Sequence, residues 1–133
     1  MKWLKRFGIA ILVLPIILLV ILGGYEVFGM CINHIATQKQ THTLQMNLEN
    51  EISDIEIVNA YSETGNTSGT GNHVDCLSSI TFSTDMQKTE IEDCMSNYYV
   101  FDESSCYVNK TEDGYYVIYI NTSAPFVDNI EGH

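Results

Sequence analysis

Hydrophobic residues run unbroken near the start of the chain, from Phe7 to Tyr25 (FGIAILVLPIILLVILGGY). These nineteen residues include no charged side chain. As an α-helix rising about 1.5 Å per residue, the stretch would be roughly 28 Å long, close to the thickness of the hydrocarbon core of a bilayer. Pro15 lies inside it, which membrane helices tolerate better than soluble helices do. The pattern predicts a transmembrane helix over residues 7–25.

A helical repeat of apolar residues continues beyond this stretch. Between residues 32 and 52 apolar positions recur at multiples of four, with Ile35 beside them. The repeating residues are Ala36, Leu44, Leu48 and Ile52. We therefore predict a juxtamembrane helix over residues 26–53 that continues the membrane span outward.

The rest of the chain, residues 54–133, is rich in β-branched and aromatic residues arranged in short runs. From His73 to Phe82 every second residue is apolar or small, which is typical of a strand with one buried face. The predicted strands cover residues 54–62, 73–82, 106–110 and 115–121. Glu112-Asp113-Gly114 is expected to join the last two strands as a hairpin turn.

One further helix is predicted between the second and third strands. It begins at Thr84, because Thr84 and Gln87 have the spacing of a capping box. Its apolar face comprises Ile91, Cys94, Met95 and Tyr98. The whole pattern predicts an α+β fold, in which an N-terminal transmembrane helix precedes a small helix–ββ–helix–ββ domain with its helices on one face of a four-stranded sheet.

Charge is distributed unevenly along the chain, whose formal net charge is −11. Residues 1–30 carry three basic residues against Glu26, whereas residues 31–133 carry three lysines against sixteen acidic residues. By the positive-inside rule the basic start, residues 1–6, stays in the cytoplasm, and the acidic domain, residues 54–133, is extracytoplasmic. Such a domain is repelled by nucleic acid and favours basic partners. We expect a single-pass protein of the cell membrane.

An uncleaved anchor is favoured over a cleaved signal peptide. Signal peptides usually have a shorter apolar region and end in a small-x-small cleavage site. Here Ile21 and Leu22 stand two positions before the small residues Gly23 and Gly24, so this site is poor.

Three of the four cysteines fall within the predicted domain, and disulfides are expected outside the cytoplasm. If the second and third strands run parallel through a helical crossover, Cys76 and Cys106 lie at a similar level in the sheet. We predict a disulfide between them, which closes a loop of about thirty residues and stabilises the fold by about 3–4 kcal/mol in the chain-entropy model. A Cys94–Cys106 bond is the alternative.

The loop before the second strand has the most distinctive local chemistry, ETGNTSGTGNHVDC. Its glycines let the backbone approach a ligand, and its hydroxyl, amide and imidazole groups suit phosphate, sugar or peptide. It contains neither the lysine of a Walker loop nor a G-x-S-x-G motif. The candidate binding loop comprises Asn66, Thr67, Ser68, Thr70, Asn72, His73 and Asp75. A mobile hairpin loop is the alternative interpretation.

Two residues of this loop also suggest a different class of site. His73 and Asp75 are two positions apart and therefore project from the same face of a strand. A residue of the C-terminal tail, such as Asp128, Glu131 or His133, could join them in a metal or acid–base site. No spacing in the sequence requires that meeting, and no cofactor is predicted.

Tyrosines mark the last predicted strand. Tyr115 and Tyr119 fall on one face and Tyr116 on the other, so at least one group is exposed unless both faces are covered. Exposed tyrosines often lie in protein interfaces.

The sequence favours a non-enzymatic module that binds a protein or peptide outside the membrane, for example an immunity-type protein that neutralises a toxin. Its layout resembles that of many small envelope proteins of Gram-positive bacteria. The alternatives are a small envelope enzyme or metal-binding domain that uses His73 and Asp75, and an accessory or sensor subunit of a membrane complex.

Overall fold

One helix makes up more than a third of the computed structural model, which describes residues 2–69 and 71–133. This helix, α1 (Lys2–Glu51), has 50 residues and runs without a break from the basic start through the apolar stretch. The predicted span and juxtamembrane helix are thus parts of one helix. It is long and apolar enough to cross a membrane.

The remaining elements follow in the predicted order. They are β1 (Glu56–Gly65), β2 (Asp75–Ser83), α2 (Lys88–Met95), β3 (Cys106–Lys110), β4 (Tyr116–Ser123) and a final 3-10 turn, η1 (Ile130–Gly132). The strands form one four-stranded antiparallel sheet in the order β1-β2-β4-β3. The predicted α+β class is therefore confirmed.

The two halves of α1 differ in their surroundings. Large apolar side chains from Phe7 to Phe28 are exposed, between 42% and 71% of their surface. Further along, Leu44, Leu48 and Ile52 are buried against the sheet, as their spacing predicts. Ile35 points away and is 61% exposed. The apolar half of α1 therefore lacks a covering surface within the described chain, and the second half is part of the domain core.

The core lies between α1 and one face of the sheet. Alternation along β2 places Ile80 and Phe82 on this face, and Tyr116 of β4 stacks on Phe82 with ring centroids 6.0 Å apart. Helix α2 adds Ile91 and Met95, both fully buried. Burial of these apolar side chains is the main source of the domain's stability.

The start of α2 differs from the prediction. The helix begins after Gln87, one turn later than expected, and the capping box is formed by Gln87 and Glu90. The Glu90 carboxylate accepts the Gln87 amide proton at 2.6 Å. Thr84 instead accepts a hydrogen bond from the Met86 amide in the preceding turn. Both residue pairs have capping-box spacing, so spacing alone does not select between them.

The structure also departs from the predicted Cys76–Cys106 disulfide. Strands β2 and β3 do run in the same direction, but β4 lies between them. Two interstrand spacings amount to about 10 Å, beyond the Cα separation of about 7 Å that a disulfide can bridge. All four cysteines, Cys94 included, are free thiols.

Candidate functional site

One face of the sheet is covered by α1 and the other is not. Gln40 and Thr41 of α1 contact Ser78 of β2, so the odd-numbered residues of β2 project from the opposite side. The strand register extends this side, here called the open face, across all four strands. It comprises Asn59, Tyr61, Glu63, Leu77, Ser79, Thr81, Tyr107, Asn109, Val117, Tyr119 and Asn121.

The open face presents Tyr61 and Glu63 as exposed side chains and Tyr107 and Tyr119 as half-buried ones. Tyr107 and Tyr119 stack across β3 and β4, with ring centroids 4.9 Å apart. Tyr61 is 48% exposed and donates a hydrogen bond of 2.7 Å to the Glu63 carboxylate. This hydrogen bond, followed by desolvation and the negative charge of Glu63, raises the pKa of Tyr61. Among the residues that the register assigns to the open face, none is Lys or Arg.

A cleft of about 560 Å³ opens at one end of this face. The stacked tyrosines and Asn121 form one side, and the candidate binding loop, through Thr67, Ser68 and His73, forms the other. Serines 104 and 105 complete the rim. The candidate binding loop contacts the C-terminal tail, and the tail packs on α1 at Glu26. The cleft therefore lies at the end of the domain that is nearer to the apolar half of α1.

Asp75 organises the loop beside the cleft. Its side chain is 5% exposed, and one carboxylate oxygen, Oδ1, lies 2.9 Å from His73 Nε2. The other oxygen, Oδ2, accepts hydrogen bonds from the Ser68 amide at 3.0 Å and the Thr67 hydroxyl at 3.4 Å. Both oxygens are therefore engaged within the loop, and Asp75 positions the loop residues.

The structure brings most of the predicted loop residues together. Asn66 donates to the backbone oxygens of Gly71 at 2.7 Å and Gly132 at 3.3 Å, and so ties the loop to the tail. Asn72 is exposed, and no hydrogen bond through its side chain is seen in the described part of the loop. Thr70 lies outside the described residues.

Ser68, His73 and Asp75 are close enough to invite comparison with a hydrolytic triad. Ser68 Oγ lies 3.4 Å from His73 Nε2, the same nitrogen that faces Asp75. A triad requires the serine and the carboxylate on opposite imidazole nitrogens, because the base must take a proton on one side while the other side is held. With both partners on Nε2, this arrangement stabilises the loop and lacks triad geometry.

In the described part of the chain, the ion pair of His73 is with Asp75 and not with a side chain of the tail. Glu131 instead contacts His34 of α1, and its Oε1 atom lies 2.6 Å from His34 Nε2. Within residues 2–69 and 71–133 no three His, Cys, Asp or Glu side chains are grouped so that they could hold a metal ion.

The C-terminal tail docks on α1, which the sequence analysis did not predict. Asn33 forms two hydrogen bonds of 2.9 Å with the Phe126 backbone, donating to its oxygen and accepting from its amide. The Phe126 ring lies edge-on to Tyr25 and Phe28, each at 5.7 Å between centroids. Asn129 donates to the Glu26 backbone oxygen at 2.9 Å.

The buried side of α1 is polar where it lies next to the tail. Asn33, Thr37 and Thr41 are buried at four-residue spacing and continue directly into the apolar core positions. Thr37 shares a hydrogen bond with Thr64 at 2.7 Å, and Thr41 shares one with Ser78 at 2.7 Å. Because each polar group has a partner, burial of this stripe does not carry the cost of unpaired hydroxyls.

Two side chains near the cleft have shifted pKa values. Asp102 accepts hydrogen bonds from the side chains and amides of Ser104 and Ser105, which hold its pKa well below the usual range. Burial, and then the nearby charges of Asp102 and Glu92, raise the pKa of the Cys106 thiol to about 11. Asp102 is therefore an anion that orders the loop before β3, and Cys106 is protonated at neutral pH.

Comparisons with protein-family models, with curated proteins and with solved structures find no match for this chain. We therefore infer function from the geometry of the open face, the cleft and α1.

Proposed function

We propose that this protein is a single-pass membrane protein whose extracytoplasmic domain binds a basic protein or peptide through the open face. The observation that carries the proposal is the difference between the two faces of one sheet. One face packs on α1, and the other presents tyrosines, a carboxylate and a cleft to solvent.

The chemistry of the open face supports a protein or peptide as the ligand. Tyrosine rings provide large, rigid contact area with a polar end, and they are enriched in protein interfaces. The stacked pair, Tyr107 and Tyr119, lies at the side of the cleft, and the exposed Glu63 is available to lysine or arginine. Hydrogen bonds within the loop hold the opposite side of the cleft in place, which reduces the ordering cost of binding.

The charge of the domain supports a basic partner. Residues 31–133 carry sixteen acidic side chains against three lysines, and such a surface accelerates encounter with a positively charged molecule at low ionic strength. The placement of this domain outside the cell is supported by Lys2, Lys5 and Arg6 before the apolar half of α1.

A binding role fits the contacts of Ser68, His73 and Asp75 better than catalysis does. These residues bond mainly to one another and to the loop backbone, so their arrangement maintains the shape of the cleft.

Photocrosslinking in membranes of the native host tests this proposal. A benzophenone amino acid is introduced into the full chain at Tyr61 or Tyr119 on the open face, and at Tyr98 as a control. Tyr98 is 47% exposed and donates a hydrogen bond to Glu51 of α1, so it lies on the side of the sheet that α1 covers. We expect a single adduct from the two open-face positions and none from Tyr98.

The Glu63→Gln variant tests whether electrostatic attraction contributes to binding of the partner. We expect it to lower adduct yield several-fold at about 0.05 M salt and to have a smaller effect at about 0.5 M, because salt screens exposed charges. Equal adducts from all three positions, or an adduct from Tyr98 alone, would contradict binding through the open face. If neither Glu63→Gln nor salt changed the adduct yield, electrostatic attraction to a basic partner would be ruled out.

A further inference from the structure

The tail and the end of the apolar half of α1 together carry a second set of exposed apolar side chains, separate from the open face. On α1, Tyr25, Val27 and Phe28 are between 56% and 60% exposed. On the tail, Ile130 is 61% exposed and Val127 is 37% exposed. Phe126 lies between the rings of Tyr25 and Phe28 and joins the two segments. These six residues are called the interfacial patch below.

The position of the patch along α1 indicates what covers it. The apolar stretch ends at Tyr25, and Glu26 is the next residue, about 1.5 Å further along the helix. The Glu26 carboxylate accepts the Ile130 amide proton at 3.0 Å, which fixes the tail at this height. In a bilayer, a polar layer of about 5–7 Å lies beyond each side of the hydrocarbon core. If α1 spans a membrane, the patch lies within that layer.

The tail is held rigidly at this height. Val74 donates to the Val127 oxygen and accepts from the Ala124 amide, each at 2.9 Å. Gly132 packs against the His73 backbone so closely that an added Cβ would lie 2.8 Å from the His73 carbonyl carbon. Val127 and Ile130 are thus presented by a fixed segment.

The chemistry of the patch fits the boundary between lipid headgroups and acyl chains. Aromatic side chains are enriched at this depth, where an apolar body and a polar end are both accommodated. Residues 7–38 and 124–133 contain no Lys or Arg, while Glu26, Asp128 and Glu131 are acidic. The patch therefore suits a zwitterionic surface and has no basic groups for anionic phosphate.

We propose that the interfacial patch inserts into the headgroup region of the outer leaflet, so that the C-terminal tail is a second membrane contact beside α1. This inference rests on the proposed membrane span. Two contacts, one through the helix and one through the tail, restrict rotation and tilt of the domain and so set the direction in which the open face points.

Tryptophan quenching by brominated lipid tests the proposal in the full chain. Trp3, the single tryptophan, is replaced by Phe, and one new tryptophan is introduced as Ile130→Trp, Val127→Trp, Leu18→Trp or Val100→Trp. Val100 is 84% exposed, follows α2 at the far end of the domain, and is the control for solvent. Leu18 lies in the apolar half of α1 and is the control for the span. Each variant is placed in phosphatidylcholine vesicles brominated near the glycerol end of the acyl chains, and Leu18→Trp is also placed in vesicles brominated near the chain ends, which match its depth.

We expect Ile130→Trp and Val127→Trp to lose at least half of their fluorescence and Val100→Trp to lose little. Exchange of the Phe126 amide checks that the tail remains docked in each variant. If Leu18→Trp is quenched but both tail variants behave like Val100→Trp, the tail contact is wrong and the membrane anchor stands. If Leu18→Trp is not quenched, the anchor itself is wrong. Blue-shifted tail emission without quenching would mean that protein covers the patch, which also contradicts the proposal.

Discussion

Replacement of Leu48 by alanine is expected to destabilise the folded domain by about 2–5 kcal/mol. Leu48 is fully buried on α1 and belongs to the cluster that joins the helix to β2, β4 and α2. Removal of its side chain leaves a cavity where four elements meet, and a rigid core relaxes only partly around it. Urea unfolding of the full chain in nanodiscs, followed by pulse proteolysis, measures the change in the unfolding midpoint.

Ile35→Ala is the matched control for this variant. It truncates a side chain of similar size on the same helix, but Ile35 is 61% exposed and outside the core cluster. We expect a change within about 0.5 kcal/mol. Equal destabilisation by both variants would mean that α1 does not pack on the sheet through its Leu44–Leu48–Ile52 face.

Asn33→Ala is expected to release the C-terminal tail from α1. The variant removes two hydrogen bonds and leaves the Phe126 amide and carbonyl without their partner, at a cost of about 2–3 kcal/mol. This corresponds to an increase of roughly 30- to 150-fold in local opening. Hydrogen exchange of the Phe126 and Ile130 amides, measured in nanodiscs, is the readout.

Asn47→Ala is the control for the tail variant. Asn47 lies on the same helix and donates to the Tyr99 hydroxyl at 2.9 Å, remote from the tail. We expect it to leave exchange in residues 126–130 unchanged. If Asn33→Ala left tail exchange unaffected as well, the docking of the tail on α1 would be wrong, and the interfacial patch would lose its structural basis.

Local patterns were sufficient to predict most of the fold. The alternation in β2 identified its buried face, because one side of an antiparallel sheet packs on the core. The four-residue repeat identified Leu44, Leu48 and Ile52, since residues at this spacing lie on one side of a helix. Residues 106–110 were predicted with the bounds that β3 has in the structure.

The same local patterns could not identify which polar residues are buried. Asn33, Thr37 and Thr41 have the spacing of the core stripe, but a polar residue is usually exposed, and only the facing strands show that these three have partners. The docking of Phe126 on Asn33 depends on a contact between residues 93 positions apart. No local propensity encodes such a contact.

The disulfide prediction failed at the level of topology. Sequence order suggested that β2 and β3 run in the same direction, but it did not show that β4 inserts between them. That the candidate loop binds a ligand stays a prediction. The loop around His73 and Asp75 does form one side of the cleft, whereas the open face opposite α1 required the strand register to be identified.

The central claim is that α1 anchors the chain in a membrane with the domain outside the cell, and Cys31 offers the most direct test. Cys31 is exposed on α1 just beyond the apolar stretch. Cys76 and Cys106 are buried, and burial raises the pKa of both thiols, so they react slowly at neutral pH. A Cys94→Ser background removes the partly exposed thiol.

Intact host cells are treated with a membrane-impermeant maleimide, and a cytoplasmic thiol protein serves as the control for leakage. The account predicts that Cys31 is labelled in intact cells and that the chain remains in the membrane fraction after a carbonate wash. Labelling of Cys31 only after the cells are permeabilised, or recovery of the chain in the soluble fraction, would contradict it.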